Sequence, residues 1–101
     1  MKVRNFRFVS DPGHGYLRVP LEVLKEYGVM FKISPFSFKS DKFAYLEEDM
    51  DMTTFVDAVR ASGDDVKFKV SYTNNDASCR RYPRFPETMG YIEYRKEKYG
   101  F

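Results

Sequence analysis

The sequence predicts an α+β domain, a mainly antiparallel sheet built from hairpins with two helices packed on one face. Three observations predict it. Two-residue alternation over Val3–Ser10 and over Val66–Tyr72 marks half-buried strands. Short apolar segments flank Asp11-Pro12-Gly13-His14-Gly15 and Ser40-Asp41-Lys42, as hairpin arms flank their turns. Met52, Phe55, Val56 and Val59 fall at i, i+3, i+4 and i+7, one apolar stripe of a helix. Hairpins interrupted by two helices define the α+β class.

In chain order, Phe6 and Phe8 share one face of the first strand. Pro12 presets φ, and Gly13 and Gly15 allow positive φ, in the tight turn that follows. Tyr16–Val19 then runs back extended. Pro20 opens a short helix, because its missing N–H is not needed there, and Gly28 stops it. Phe31–Ser34 fits a strand or a connector equally. Phe36–Lys39 and Phe43–Leu46 make the second hairpin, with Phe36 and Phe38 on one face and Phe43 and Tyr45 on one face. Asp51 or Thr53 caps the second helix and Gly63 ends it. Thr73–Asp76 reads as a turn and Ser78–Tyr82 as a strand paired back on the preceding one. Pro83 and Pro86 prevent regular pairing beyond it. Tyr91–Tyr99 fits a helix or a last strand. The whole of 1–101 reads as one domain, with 86–101 a less regular basic and aromatic tail.

Composition bounds the chemistry. The chain has 101 residues, with 10 Phe, 8 Tyr, no Trp, one Cys and one His. A single Cys79 cannot form an internal disulfide framework or a cysteine-rich zinc site, and a single His14 excludes clusters of several histidine ligands. No apolar run approaches the roughly 20 residues of a membrane span, and no apolar stretch follows the basic start as in a secretory signal. A free cysteine without such a signal is expected of a cytoplasmic protein. The net charge of +2 hides blocks of +4, −6 and +4 over residues 1–40, 41–65 and 66–101. Such blocks make either a bipolar surface or segments that neutralise one another in the fold. No P-loop, dinucleotide fingerprint, kinase motif or zinc spacing is present, so no cofactor is implied.

Three stretches could carry function. His14, between two glycines and near Asp11, can serve as acid, base or phosphate partner, although a hairpin turn needs the same glycines. Glu47-Glu48-Asp49 with Asp51 could hold a divalent cation, but lacks the calcium-loop spacing and suits a helix N-terminus. Arg80-Arg81-Tyr82-Pro83-Arg84-Phe85 interleaves guanidinium groups with aromatic rings, a composition that binds phosphates and stacks bases, or grips the carboxylates of an acidic protein. The binding candidates are therefore His14, Arg80, Arg81, Tyr82 and Arg84. The aromatics divide likewise. Those from Phe6 to Tyr72 sit at core spacings, whereas Tyr82, Phe85, Tyr91, Tyr94, Tyr99 and Phe101 sit among cations and are the ones expected to face a partner.

The strings Asp11–Pro20 (Asp-Pro-Gly-His-Gly-Tyr-Leu-Arg-Val-Pro), Ile33–Phe38, Ala44–Asp49 and Ser78–Phe85 resemble small proteins of tailed phages and prophages, over most of residues 6–85. That family has no established activity, so the resemblance implies origin and a host-cell cytoplasm rather than a mechanism. The leading expectation is a phage-type accessory protein that binds a host or phage macromolecule without catalysis. The alternative is nucleic-acid or nucleotide binding through residues 80–85 with His14. A small hydrolase or transferase using His14 is the third. No membrane partner is expected, and exposed strand edges allow a homodimer.

Overall fold

Strand β1 is the alternating segment Val3–Ser10, and β2, Gly15–Pro20, returns antiparallel beside it, with Phe8 opposite Leu17. A computed structural model describes residues 1–73 and 78–100 of the chain. Pro20 leads into helix α1, Leu21–Glu26, which Gly28 ends at φ +71. A 3-10 turn at Met30–Lys32 follows, then β3 (Phe38–Lys39), β4 (Phe43–Glu47) and α2 (Asp51–Ala61). Strand β5 is Asp65–Tyr72, and α3 spans Met89–Tyr99. The sheet order is β3-β4-β2-β1-β5. Neighbours are antiparallel except β1 and β5, which run parallel because α2 carries the chain across the sheet from β4 to its far edge.

Helices α1 and α2 cover one face. Phe6, Leu17, Val19, Ala44 and Leu46 meet Val23 and Leu24 of α1 and Phe55, Val56 and Val59 of α2 in one buried cluster. Phe55 is its hub, edge-on to Phe6 at 5.3 Å and to Tyr27 at 6.0 Å. The α+β reading and the helical stripe of residues 52–59 stand as expected. The helix covers only the start of β5, so Val66 is buried while Phe68, Val70 and Tyr72, on the same side of the strand, stay exposed.

Several local expectations are corrected. Ser78–Arg81 is a 3-10 turn rather than a strand on β5, because two prolines follow and the segment packs over the sheet instead of beside it. The turn expected at 73–76 falls largely outside the described residues. Phe85 and Tyr91 are buried, whereas Phe36 precedes β3 and is exposed. Tyr91–Tyr99 is helical, within an α3 whose Thr88 hydroxyl accepts the Tyr91 N–H at 3.1 Å and whose end is a left-handed Gly100. Gly13 and Gly15 do not have positive φ. The Asp11 carboxylate closes their turn by accepting the N–H groups of Gly13 and His14 at 3.0 and 2.7 Å. Gly15 is required for space, since a Cβ there would lie 2.2 Å from Phe8 Cζ.

Asp51 does not cap α2. Glu47 does so, accepting the N–H groups of Asp49 at 3.0 Å and Asp51 at 2.9 Å. Asp51 instead points inward and is fully buried. It accepts the Ser34 N–H at 3.0 Å, the Ser34 hydroxyl at 2.7 Å and the Ser37 hydroxyl. Ser37 Oγ in turn accepts the Glu47 N–H at 3.0 Å, and Ser34 Oγ accepts the Phe36 N–H at 3.1 Å. Every buried polar atom of this network is thereby partnered, the condition under which such a network orders a fold.

Two predictions follow from these contacts. Gly15→Ala should destabilise by roughly 1–3 kcal/mol through overpacking, while Gly13→Ala, with nothing within 4 Å of its Cβ, should stay within about 0.5 kcal/mol of wild type in urea unfolding. Burial pushes the Asp51 carboxyl from 3.8 up to about 6, against the serine hydrogen bonds that favour its charged form. The fold therefore prefers protonated Asp51, so this contribution is full below 3.8, is lost as pH rises through about 6, and is level above. Wild-type stability should fall by on the order of 3 kcal/mol over that rise. Asp51→Asn should lack the step in unfolding curves measured along the same pH series.

Candidate functional site

The face of the sheet opposite α1 and α2 collects the other side of each strand's alternation. Strand register lines up one residue per strand. Lys69 of β5 pairs with Arg7 of β1, Arg7 with Arg18 of β2, Arg18 with Tyr45 of β4, and Tyr45 with Phe38 of β3. Lys67 opposite Asn5 forms the next row along β5 and β1. Adjacent strands lie about 4.8 Å apart, so the backbone positions of Lys69, Arg7 and Arg18 span roughly 10 Å. Like charges directly opposite one another destabilise a sheet. Among the described residues, no carboxylate lies within ion-pair distance of Arg7, Arg18 or Lys69, while Lys67 interacts electrostatically with Asp65 on the same side of β5.

Arg18 is half-buried. Its guanidinium sits 3.8 Å from the centre of the Phe43 ring, and its Nε, shielded from solvent, has no hydrogen-bond partner among the described residues. On the other side of the sheet, Glu22, Glu26 and Asp57 are exposed on α1 and α2 together with Lys25 and Arg60, while Asp65 shares the side of β5 that carries Lys67 and Lys69. Both signs of charge therefore stand on the helix side, and the cations of the row are set apart by their register rather than by a charge division between the two faces.

Residues 78–85 cover part of the same face. Cys79 packs with Tyr16 and Phe38 in a second buried cluster, flanked by Val9 and Tyr45. The Lys39 N–H donates to the Pro83 carbonyl and the Phe85 N–H to the Ser37 carbonyl, both at 2.9 Å, so residues 83–85 extend the sheet past β3. Tyr82 stacks on Tyr45 at 5.5 Å and 29°, and is 40% exposed. The Arg84 guanidinium lies 4.7 Å from the centre of the Phe38 ring and donates to the Pro35 carbonyl at 3.3 Å. Burial pushes the Tyr45 and Tyr16 hydroxyls above the usual tyrosine value, so both stay neutral.

The predicted residues thus come together in part. His14 and Arg80 approach one buried carboxylate, Asp11, at 3.7 and 3.8 Å. The His14 ring lies parallel to that of Tyr16 at 6.2 Å, with its side chain about half exposed. Tyr82 and Arg84 stand over Tyr45 and Phe38, while Arg81 projects to solvent. Sequence reasoning missed Arg7, Arg18, Lys67 and Lys69. Their alternation placed them on exposed strand faces, but the register that makes Arg7 the neighbour of Lys69 is set by a crossover that local sequence does not show. Glu47 is used in capping, and among the described residues no three His, Cys, Asp or Glu side chains converge as metal ligands would. No helix there is long and apolar enough to cross a membrane. No protein-family model matches the chain, and no curated protein or solved structure is detectably similar to it.

Burial pushes the Cys79 thiol up to about 11, so it stays protonated and shielded at neutral pH. Ellman's reagent should therefore leave Cys79 unmodified in the native protein at pH near 8 and titrate one thiol in urea. Rapid modification of the native protein would show that residues 78–85 do not seal this cluster.

Proposed function

We propose that this protein is a non-catalytic nucleic-acid-binding module whose ligand lies across the helix-free face of the sheet. The observation that carries the reading is the row Lys69, Arg7 and Arg18, three directly opposed cations without a carboxylate among the described residues. A polyanion turns this mutual repulsion into attraction and gains by counterion release. A protonated, buried Cys79, and an Asp11 whose carboxylate closes its own turn, favour binding over group transfer by His14. The macromolecule expected of a phage accessory protein is then nucleic acid, met in the cytoplasm of the host.

Fluorescence anisotropy with labelled DNA and RNA oligomers, titrated at low and moderate salt, tests this. Affinity should fall steeply with salt, and Arg7→Ala or Lys69→Ala should each flatten the logarithmic salt slope by about 0.7–0.9. Asp57→Asn on α2 should leave the slope unchanged. Absence of salt-sensitive binding would overturn the proposal. Equal affinity for polyglutamate would also overturn it, in favour of an acidic protein partner.

A further inference from the structure

We infer that the ligand is single-stranded, with one unpaired base stacking on Tyr82 while its neighbouring phosphates lie along Arg18, Arg7 and Lys69. This rests on the nucleic-acid reading and adds the form of the strand and the point where a base is held.

Tyr82 is built as a platform. The Tyr45 ring backs it at 5.5 Å, and Tyr82 remains 40% exposed. Its backbone is fixed on both sides, by the Tyr82 N–H donating to the Cys79 carbonyl at 3.0 Å and by the Lys39 N–H donating to the Pro83 carbonyl at 2.9 Å. A ring held this way loses little further freedom when a base is added to the stack. The platform also adjoins the charge. Tyr45, which Tyr82 covers, is the direct cross-strand partner of Arg18, where the row of cations begins. Base and phosphate contacts therefore lie side by side, Tyr82 over Tyr45 of β4 and Arg18 on the neighbouring β2.

A duplex does not suit this arrangement. Its base faces are already stacked on one another, so Tyr82 would receive none, and exposing one requires unpairing. The cations alone would grip any phosphate backbone, whereas an exposed aromatic next to them selects strands with free bases. The other rings near the row are already covered by cations, Phe43 by Arg18 and Phe38 by Arg84, which leaves Tyr82 as the stacking surface among the described residues here.

The test compares, at one salt concentration, a thymidine octamer, an abasic octamer of the same backbone and charge, and a blunt-ended duplex without a loop. The thymidine octamer should bind about ten-fold tighter than the abasic one, with quenching of tyrosine fluorescence, which no tryptophan obscures. Tyr82→Ala should abolish that difference and leave abasic binding unchanged, and Tyr82→Phe should restore it. Equal affinity for all three probes, each still weakened by Arg7→Ala, would overturn the stacking inference and leave the nucleic-acid reading standing. No salt-sensitive binding of any probe would overturn both.

Discussion

The buried carboxylate of Asp51 ties the first turn of α2 to Ser34 and Ser37, and the placement of β3 depends on that tie. Ser37 immediately precedes Phe38, and its carbonyl receives the Phe85 N–H. Lys39, one residue further, donates to Pro83. The segment that brings Tyr82 and Arg84 over the sheet is therefore fastened to a two-residue strand, which is itself fastened to a helix on the opposite side. Burying a carboxylate opposes folding through desolvation, and this one is offset by hydroxyl and amide donors rather than by a cation. The gain is geometric: a loop rich in Ser, Pro and Phe holds one conformation.

That constraint divides the molecule into two unlike faces. On the helix side, Phe55 gathers Phe6 and Tyr27, and aliphatic residues of three strands and two helices complete the core. On the other, a small aromatic cluster sealed by Cys79 adjoins an open cationic field. The parallel pairing of β1 with β5 makes the field continuous, since it sets Lys69 beside Arg7 and Lys67 beside Asn5. An antiparallel hairpin partner at the same edge would have required different connectivity, because α2 must span the sheet to deliver β5 there.

Much of this was legible in the sequence, for reasons that can be named. The alternation of β1 and β5, the stripe of α2 and the glycine stops at Gly28 and Gly63 are local, and local periodicity reports them. Ser78–Tyr82 lacks the two-residue alternation of β1 and β5, and the prolines that follow it suit a 3-10 turn better than a paired strand. Asp51 reads as a cap from its position before an apolar stripe, and only the tertiary approach of Ser34 and Ser37 turns it inward. The candidate site was half visible. Residues 80–85 announce themselves by composition, whereas Arg7, Arg18 and Lys69 are each an ordinary outward strand residue until the sheet order aligns them.

The central claim, that the ligand lies on the helix-free face, is tested most directly by following arginine Nε–Hε NMR resonances during titration with a short single-stranded oligomer. Arg7 and Arg18 should shift in step with saturation. Arg4, paired with Glu26 on the helix side, and Arg60 on α2 should hold still. Shifts at Arg4 and Arg60 with Arg7 and Arg18 unmoved would contradict the account.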